Sequence, residues 1–131
     1  MRAQSTFENP SWQESEFHGL SEPGGPRLVR AVVRRVYSGD IQGEGLAELL
    51  MSQAGDNAAG YVAMERVTAS LHDRKGSFVL QHGSVLGDGE PRSFGYVVPG
   101  SGTGDLAGLS GAATFRHDAD GAIFTLDYEL A

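Results

Sequence analysis

Polar side chains that share a strand face with apolar ones are the residues here that could do chemistry. Burying an ionisable group costs free energy and displaces its pKa toward the neutral form. Glu65 falls on one face with Tyr61, Ala63 and Val67, His82 with Phe78 and Leu80, and Glu44 and Glu48 with Leu46 and Leu50. Turned inward, these faces would set an acid or base among hydrocarbon, and Glu65 and His82 are the candidate catalytic pair. Glu44, Tyr61, Glu65, His82 and Tyr128 are the candidate lining of an interior pocket. The plainer alternative is a satisfied core network, with Glu65 and His82 paired to each other or to Arg66 or Arg30. Arg34 and Arg35 are adjacent and point to opposite sides of any strand, so one of them can approach the interior. An inward guanidinium could bind a ligand carboxylate through two bonds.

Other chemistries fit less well. Gly102-Thr103-Gly104-Asp105-Leu106-Ala107 has the letters of a dinucleotide fingerprint, with Asp127 about 20 residues further on. A helix must start there to hold a pyrophosphate, yet Gly108-Leu109-Ser110-Gly111 breaks it and too little chain remains for a second βαβ unit. The loop reads as a glycine-rich connection at a barrel rim. No Lys-Ser or Lys-Thr pair follows the glycines, which excludes a P-loop. Neither Ser101 nor Ser110 lies in a G-x-S-x-G turn. His18, His72, His82 and His117 are far apart and form no H-x-H or H-x-x-x-H pair, so neither a metal ion nor a cofactor is expected. Proline in the middle of Asn9-Pro10-Ser11 removes the glycosylation acceptor.

The elements that must position these residues are strands. The chain has 131 residues, the size of one domain, here taken as 1–131. Its 19 glycines are about twice ordinary usage and without a period, as many turns and bulges require. Lys and Arg number 10 against 17 Asp and Glu, and a net charge of −7 repels phosphate backbones, so nucleic acid is not expected as a partner. Cysteine is absent, no stretch approaches the roughly 18 apolar residues of a membrane span, and the first residues lack a signal peptide's apolar run. A cytoplasmic location is the expectation.

Turn signals recur at Pro23 to Pro26, Ser38 to Asp40, Gly55 to Asn57, Asp73 to Gly76, Gly87 to Gly89, Pro99 to Gly104 and Asp118 to Gly121. They leave eight short segments rich in β-branched, aromatic and alternating residues, the spacing of all-β sandwiches and barrels. Asp88-Gly89 and Asp120-Gly121 are the strongest hairpin signals, predicting that 75–86 pairs with 92–98 and 109–117 with 122–130. In the last segment Phe124, Leu126, Tyr128 and Leu130 share one face while Thr125, Asp127 and Glu129 share the other. Leu46 to Gln53 has helix formers, but its length and the glycines at 43 and 45 favour a strand. Closing the sheet into a barrel would remove its exposed edges, although the strand patterns alone also allow a two-sheet sandwich.

The run Val98 to Gly111, preceded by Lys75 to His82 and closed by Leu126-Asp127-Tyr128-Glu129-Leu130, resembles the DUF3224 family. Ser38 to Gly45 and Tyr61 to Arg66 resemble its earlier segments, so the likeness spans about Arg27 to the end. The resemblance implies an all-β, eight-stranded antiparallel barrel, similar to allene oxide cyclase within a wider group of lipocalin-shaped barrels. It carries over no catalytic residue, because DUF3224 is itself of unknown function and fold analogy is a weak warrant for activity.

Three functions follow for such a barrel. It binds an apolar or amphipathic small molecule, since eight strands enclose room for one ligand. Alternatively it is an isomerase or cyclase that folds a flexible substrate while Glu65 or His82 polarises an oxygen. A filled barrel would act through its outer wall, as a homodimer or adaptor.

Overall fold

The computed structural model describes residues 1–16, 22–89, 91–118 and 121–131. Eight strands follow in order: β1 (Arg2–Glu16), β2 (Arg27–Gly39), β3 (Ile41–Gly55), β4 (Ala58–Leu71), β5 (Arg74–Leu86), β6 (Arg92–Val97), β7 (Leu109–Asp118) and β8 (Gly121–Leu130). Each pairs antiparallel with the next, and β1 pairs with β8 from Arg2↔Asp127 to Thr6↔Ile123, closing the sheet into one barrel. Closure pairs the first strand with the last, which an open sheet would leave as edges.

Leu46 to Gln53 is strand, hydrogen-bonded on both sides, with Leu46 opposite Arg34 of β2 and Arg66 of β4. The expected hairpins also form. Arg74–Leu86 pairs with Arg92–Val97 across a connection where Gly89 has φ of 102°, and β7 pairs with β8 out to Asp118↔Gly121. Asp120 lies outside the described residues, as does His18. The β4–β5 turn is His72-Asp73, both at positive φ, so β5 begins at Arg74 within the expected Asp73 to Gly76 turn. In β8, Phe124, Leu126 and Tyr128 are buried, Leu130 packs half-buried on the core, and Asp127 and Glu129 are exposed.

The two ends of the barrel differ. At one end Tyr37, Ile41, Leu71, Phe78, Phe124 and Leu126 fill the interior. A short 3-10 helix, Gly104–Leu106, inserts Leu106 there as a plug. The glycine-rich loop is this plug's support: Thr103 N–H bonds Ser77 O at 2.8 Å, and Ser101 Oγ donates to Val98 O at 2.6 Å. At the other end the inward layer is Ala31, Val33, Ala47, Leu49 and Ala63. These buried side chains are smaller than those at the plugged end.

Candidate functional site

Glu65 and His82 both point inward and are both 0% exposed. They sit on neighbouring strands, with Glu65 opposite Leu80 and His82 opposite Ala63, so they meet along a diagonal two residues out of register. His82 Nε2 lies 3.0 Å from Glu65 Oε1. Tyr61, on the same face of β4 and farther from the plugged end, places its hydroxyl 3.0 Å from His82 Nδ1.

The arginine that joins them is Arg35, 7% exposed, rather than Arg30 or Arg66. Its Nη1 donates to Glu65 Oε1 at 3.4 Å and its Nε to Asn9 Oδ1 at 2.9 Å. The guanidinium lies 4.6 Å from the Phe7 ring centroid and 5.3 Å from that of Phe115, a cation held between aromatic rings. Tyr37 donates from its hydroxyl to Glu65 Oε2 at 2.5 Å.

Arg35 and Tyr37 are on β2 and Glu65 is on β4, so these groups must meet across β3. Glycine makes that crossing open. Tyr37 faces Gly43 and Arg35 faces Gly45 in the β2–β3 register, and a Cβ on Gly45 would stand 2.0 Å from Glu65 Oε2. The carboxylate therefore occupies the space a side chain at 45 would take. On β6 Gly95 faces His82, and a Cβ there would stand 3.0 Å from the Ala113 carbonyl oxygen. The His82 and Phe115 ring centroids approach to 5.0 Å.

Burial opposes ionisation of Glu65, but hydrogen bonds from His82 and Tyr37 and the charge of Arg35 outweigh it and hold the carboxyl below its usual range. Burial also opposes the charge on Arg35, and Glu65 together with Tyr37 and Tyr61 outweighs it. Burial, reinforced by Glu65, pushes the Tyr37 hydroxyl well up. Tyr61 is raised too, by burial first, with Arg35 pulling the other way, so it is a neutral phenol at neutral pH. An ionised Glu65 accepts hydrogen bonds and donates none, so His82 Nε2 carries the proton directed at it. On the neutral imidazole Nδ1 is then the acceptor for the Tyr61 O–H.

Beyond Tyr61 the barrel opens into a cleft of about 630 Å³. Met51, Tyr61, Ser84, Ser93, Phe115 and His117 are among the residues around it. Tyr61 is half-buried and lines the cleft, whereas Glu65 and His82 lie behind, closed off from water.

Two of the expected pocket residues are elsewhere. Glu44 is on the outer wall and pairs with Arg34, as Glu48 pairs with Arg30. Leu46 and Leu50 share that outer face, because the inward face of β3 is Ile41, Gly45, Ala47 and Leu49. β3 carries apolar residues on both faces, and the alternation alone selects the wrong one. Tyr128 does point inward, but it belongs to the plugged end, where its hydroxyl lies 2.5 Å from His72 Nδ1. Nor is Arg35 offered to a ligand carboxylate, since Glu65, Asn9 and two rings already engage it.

The outer wall carries a second apolar feature. Leu50, Val62 and Phe94 fall in one cross-strand row, and Met64 and Tyr96 in the next, all exposed. Among the described residues, no three His, Cys, Asp or Glu side chains group as metal ligands would. No described helix is long and apolar enough to cross a membrane.

A closed eight-strand antiparallel barrel, plugged at one end and holding a buried Arg–Glu–His network beneath an open mouth, defines the class of molecule. The chain belongs to the DUF3224 family, described as "Protein of unknown function", which matches residues 3–130. A crystal structure of a DUF3224-family protein of unknown function from Shewanella oneidensis MR-1 is similar, with a TM-score of 0.86 at 28% identity. The alignment covers 100% of this chain and 97% of that one. No curated protein matches the chain.

Proposed function

We propose that the protein binds an amphipathic small molecule in the mouth of the barrel, its polar group on the Tyr61 hydroxyl and its apolar part against Met51 and Phe115. The observation that carries this reading is the cleft itself, about 630 Å³ and lined in part by Tyr61, whose hydroxyl has buried support behind it. That volume lies in the usual range for small-molecule sites, which combine mostly apolar walls with a few placed polar atoms. Glu65 supports the site from behind: with three protein donors on its two oxygens, it has little capacity left for a ligand.

An isomerase or cyclase is the second reading, favoured by the line Tyr61, His82, Glu65. A reactive hydroxyl, a base beside it and a group orienting that base is the arrangement acid–base catalysis needs. In that case Tyr61 meets the substrate, and His82 and Glu65 act through it.

Titration with the neutral fluorophore N-phenylnaphthylamine tests the binding reading. Wild type should give a saturable fluorescence rise with one site per chain, and Ser93→Trp, which fills the mouth, should abolish it. Met64→Ser, on the outer wall, should leave it unchanged. Loss of the signal with Met64→Ser but not Ser93→Trp would place the apolar site outside the barrel and refute the proposal.

A further inference from the structure

We infer that the head group taken by this cleft is a hydrogen-bond donor, an alcohol or an amine on an apolar tail, met by the Tyr61 oxygen. The inference rests on the cleft being a binding site and adds which chemistry it selects. Three hydrogen bonds converge on Glu65, and a fourth runs toward them from the mouth. Arg35 Nη1, the Tyr37 hydroxyl and His82 Nε2 each direct a hydrogen at Glu65, so the neutral imidazole of His82 turns Nδ1 toward the mouth as an acceptor. The Tyr61 hydroxyl, 3.0 Å from that nitrogen, spends its own hydrogen there. What remains toward the cleft is the lone-pair side of a phenol oxygen, made more negative by the chain of bonds behind it. A ligand carbonyl or ether oxygen would face lone pair against lone pair. A hydroxyl or an ammonium would complete the oxygen's bonding.

The charge of the whole chain works in the same sense. A net charge of −7 favours neutral or cationic ligands over anions. Arg116 and His117 also border the cleft, which makes a carboxylate the rival head group. His82 and Glu65 cannot serve that rival, because both are fully buried and Glu65 is itself an anion.

Competition against bound N-phenylnaphthylamine separates these chemistries. Octanol, methyl octyl ether and octanoate share the tail and differ in the head: a donor, an acceptor only, and an anion. Octanol should displace the fluorophore at roughly five- to tenfold lower concentration than the ether, the advantage of one hydrogen bond. In Tyr61→Phe, with the fluorophore's own affinity for that variant measured first, octanol and ether should become equal. The inference is overturned if ether or octanoate matches octanol on wild type, or if octanol keeps its advantage in Tyr61→Phe. Absence of any fluorophore binding in the cleft would instead remove the binding reading, and this one with it.

Discussion

Glu65→Ala should destabilise the fold by about 3–5 kcal/mol, because it leaves the Arg35 guanidinium buried without its carboxylate. The fall should appear as a lower urea midpoint at pH 7 with an unchanged slope. Asn9 and the Phe7 and Phe115 rings remain around Arg35, but none carries a negative charge. Glu65→Gln keeps the shape and an oxygen for His82, so it should cost less and also change the acid response. The native carboxyl titrates below its ordinary value near 4.5, so the native state binds fewer protons than the unfolded chain in mild acid. Its stabilising contribution is complete above that ordinary value and is lost as pH falls through the native one. The stability gap between wild type and Glu65→Gln should therefore shrink below about pH 4.5. A gap constant from pH 7 to pH 3, or a Glu65→Ala midpoint within error of wild type, would mean that Glu65 is not the ionised centre of the network.

Leu126→Ala should cost about 2–5 kcal/mol, toward the upper part of that range. Leu126 is fully buried, and its two cross-strand neighbours are Ala3 on β1 and Ala113 on β7. Neither alanine has a side chain that can swing into the space, so the cavity stays open and the lost packing is not recovered. Thermal or urea unfolding checks this. A loss below about 1 kcal/mol would show that the wall relaxes around position 126.

Much of the fold was legible because glycine, proline and aspartate mark turns locally, and the alternation in Ile123 to Leu130 needs no distant information. The meeting of Glu65 and His82 was legible for the same reason, since both are counted back from one turn. His72-Asp73 makes the turn earlier than Asp73 to Gly76, yet the two side chains stay one diagonal step apart. The third member was not legible. Choosing Arg35 over Arg34, Arg30 or Arg66 requires the inward face of β2, and that face is decided by closure of the barrel. Tyr37 was missed on the same account. A signal was present in Gly43 and Gly45, two residues apart and thus on one face of a strand, which marks a place where neighbours reach across. Glu44 and Leu46, between and beside them, drew attention to the opposite face.

The claim that the mouth above Tyr61 is the binding site is tested most directly by mapping where a ligand touches. Backbone amide shifts of ¹⁵N-labelled protein, followed while octanol is added, should move at Tyr61, Ser84, Ser93 and Phe115. They should stay still at Ile41, Leu71 and Leu109 at the plugged end. Shifts confined to Val62, Met64, Phe94 and Tyr96 would place the ligand on the outer wall and contradict the account.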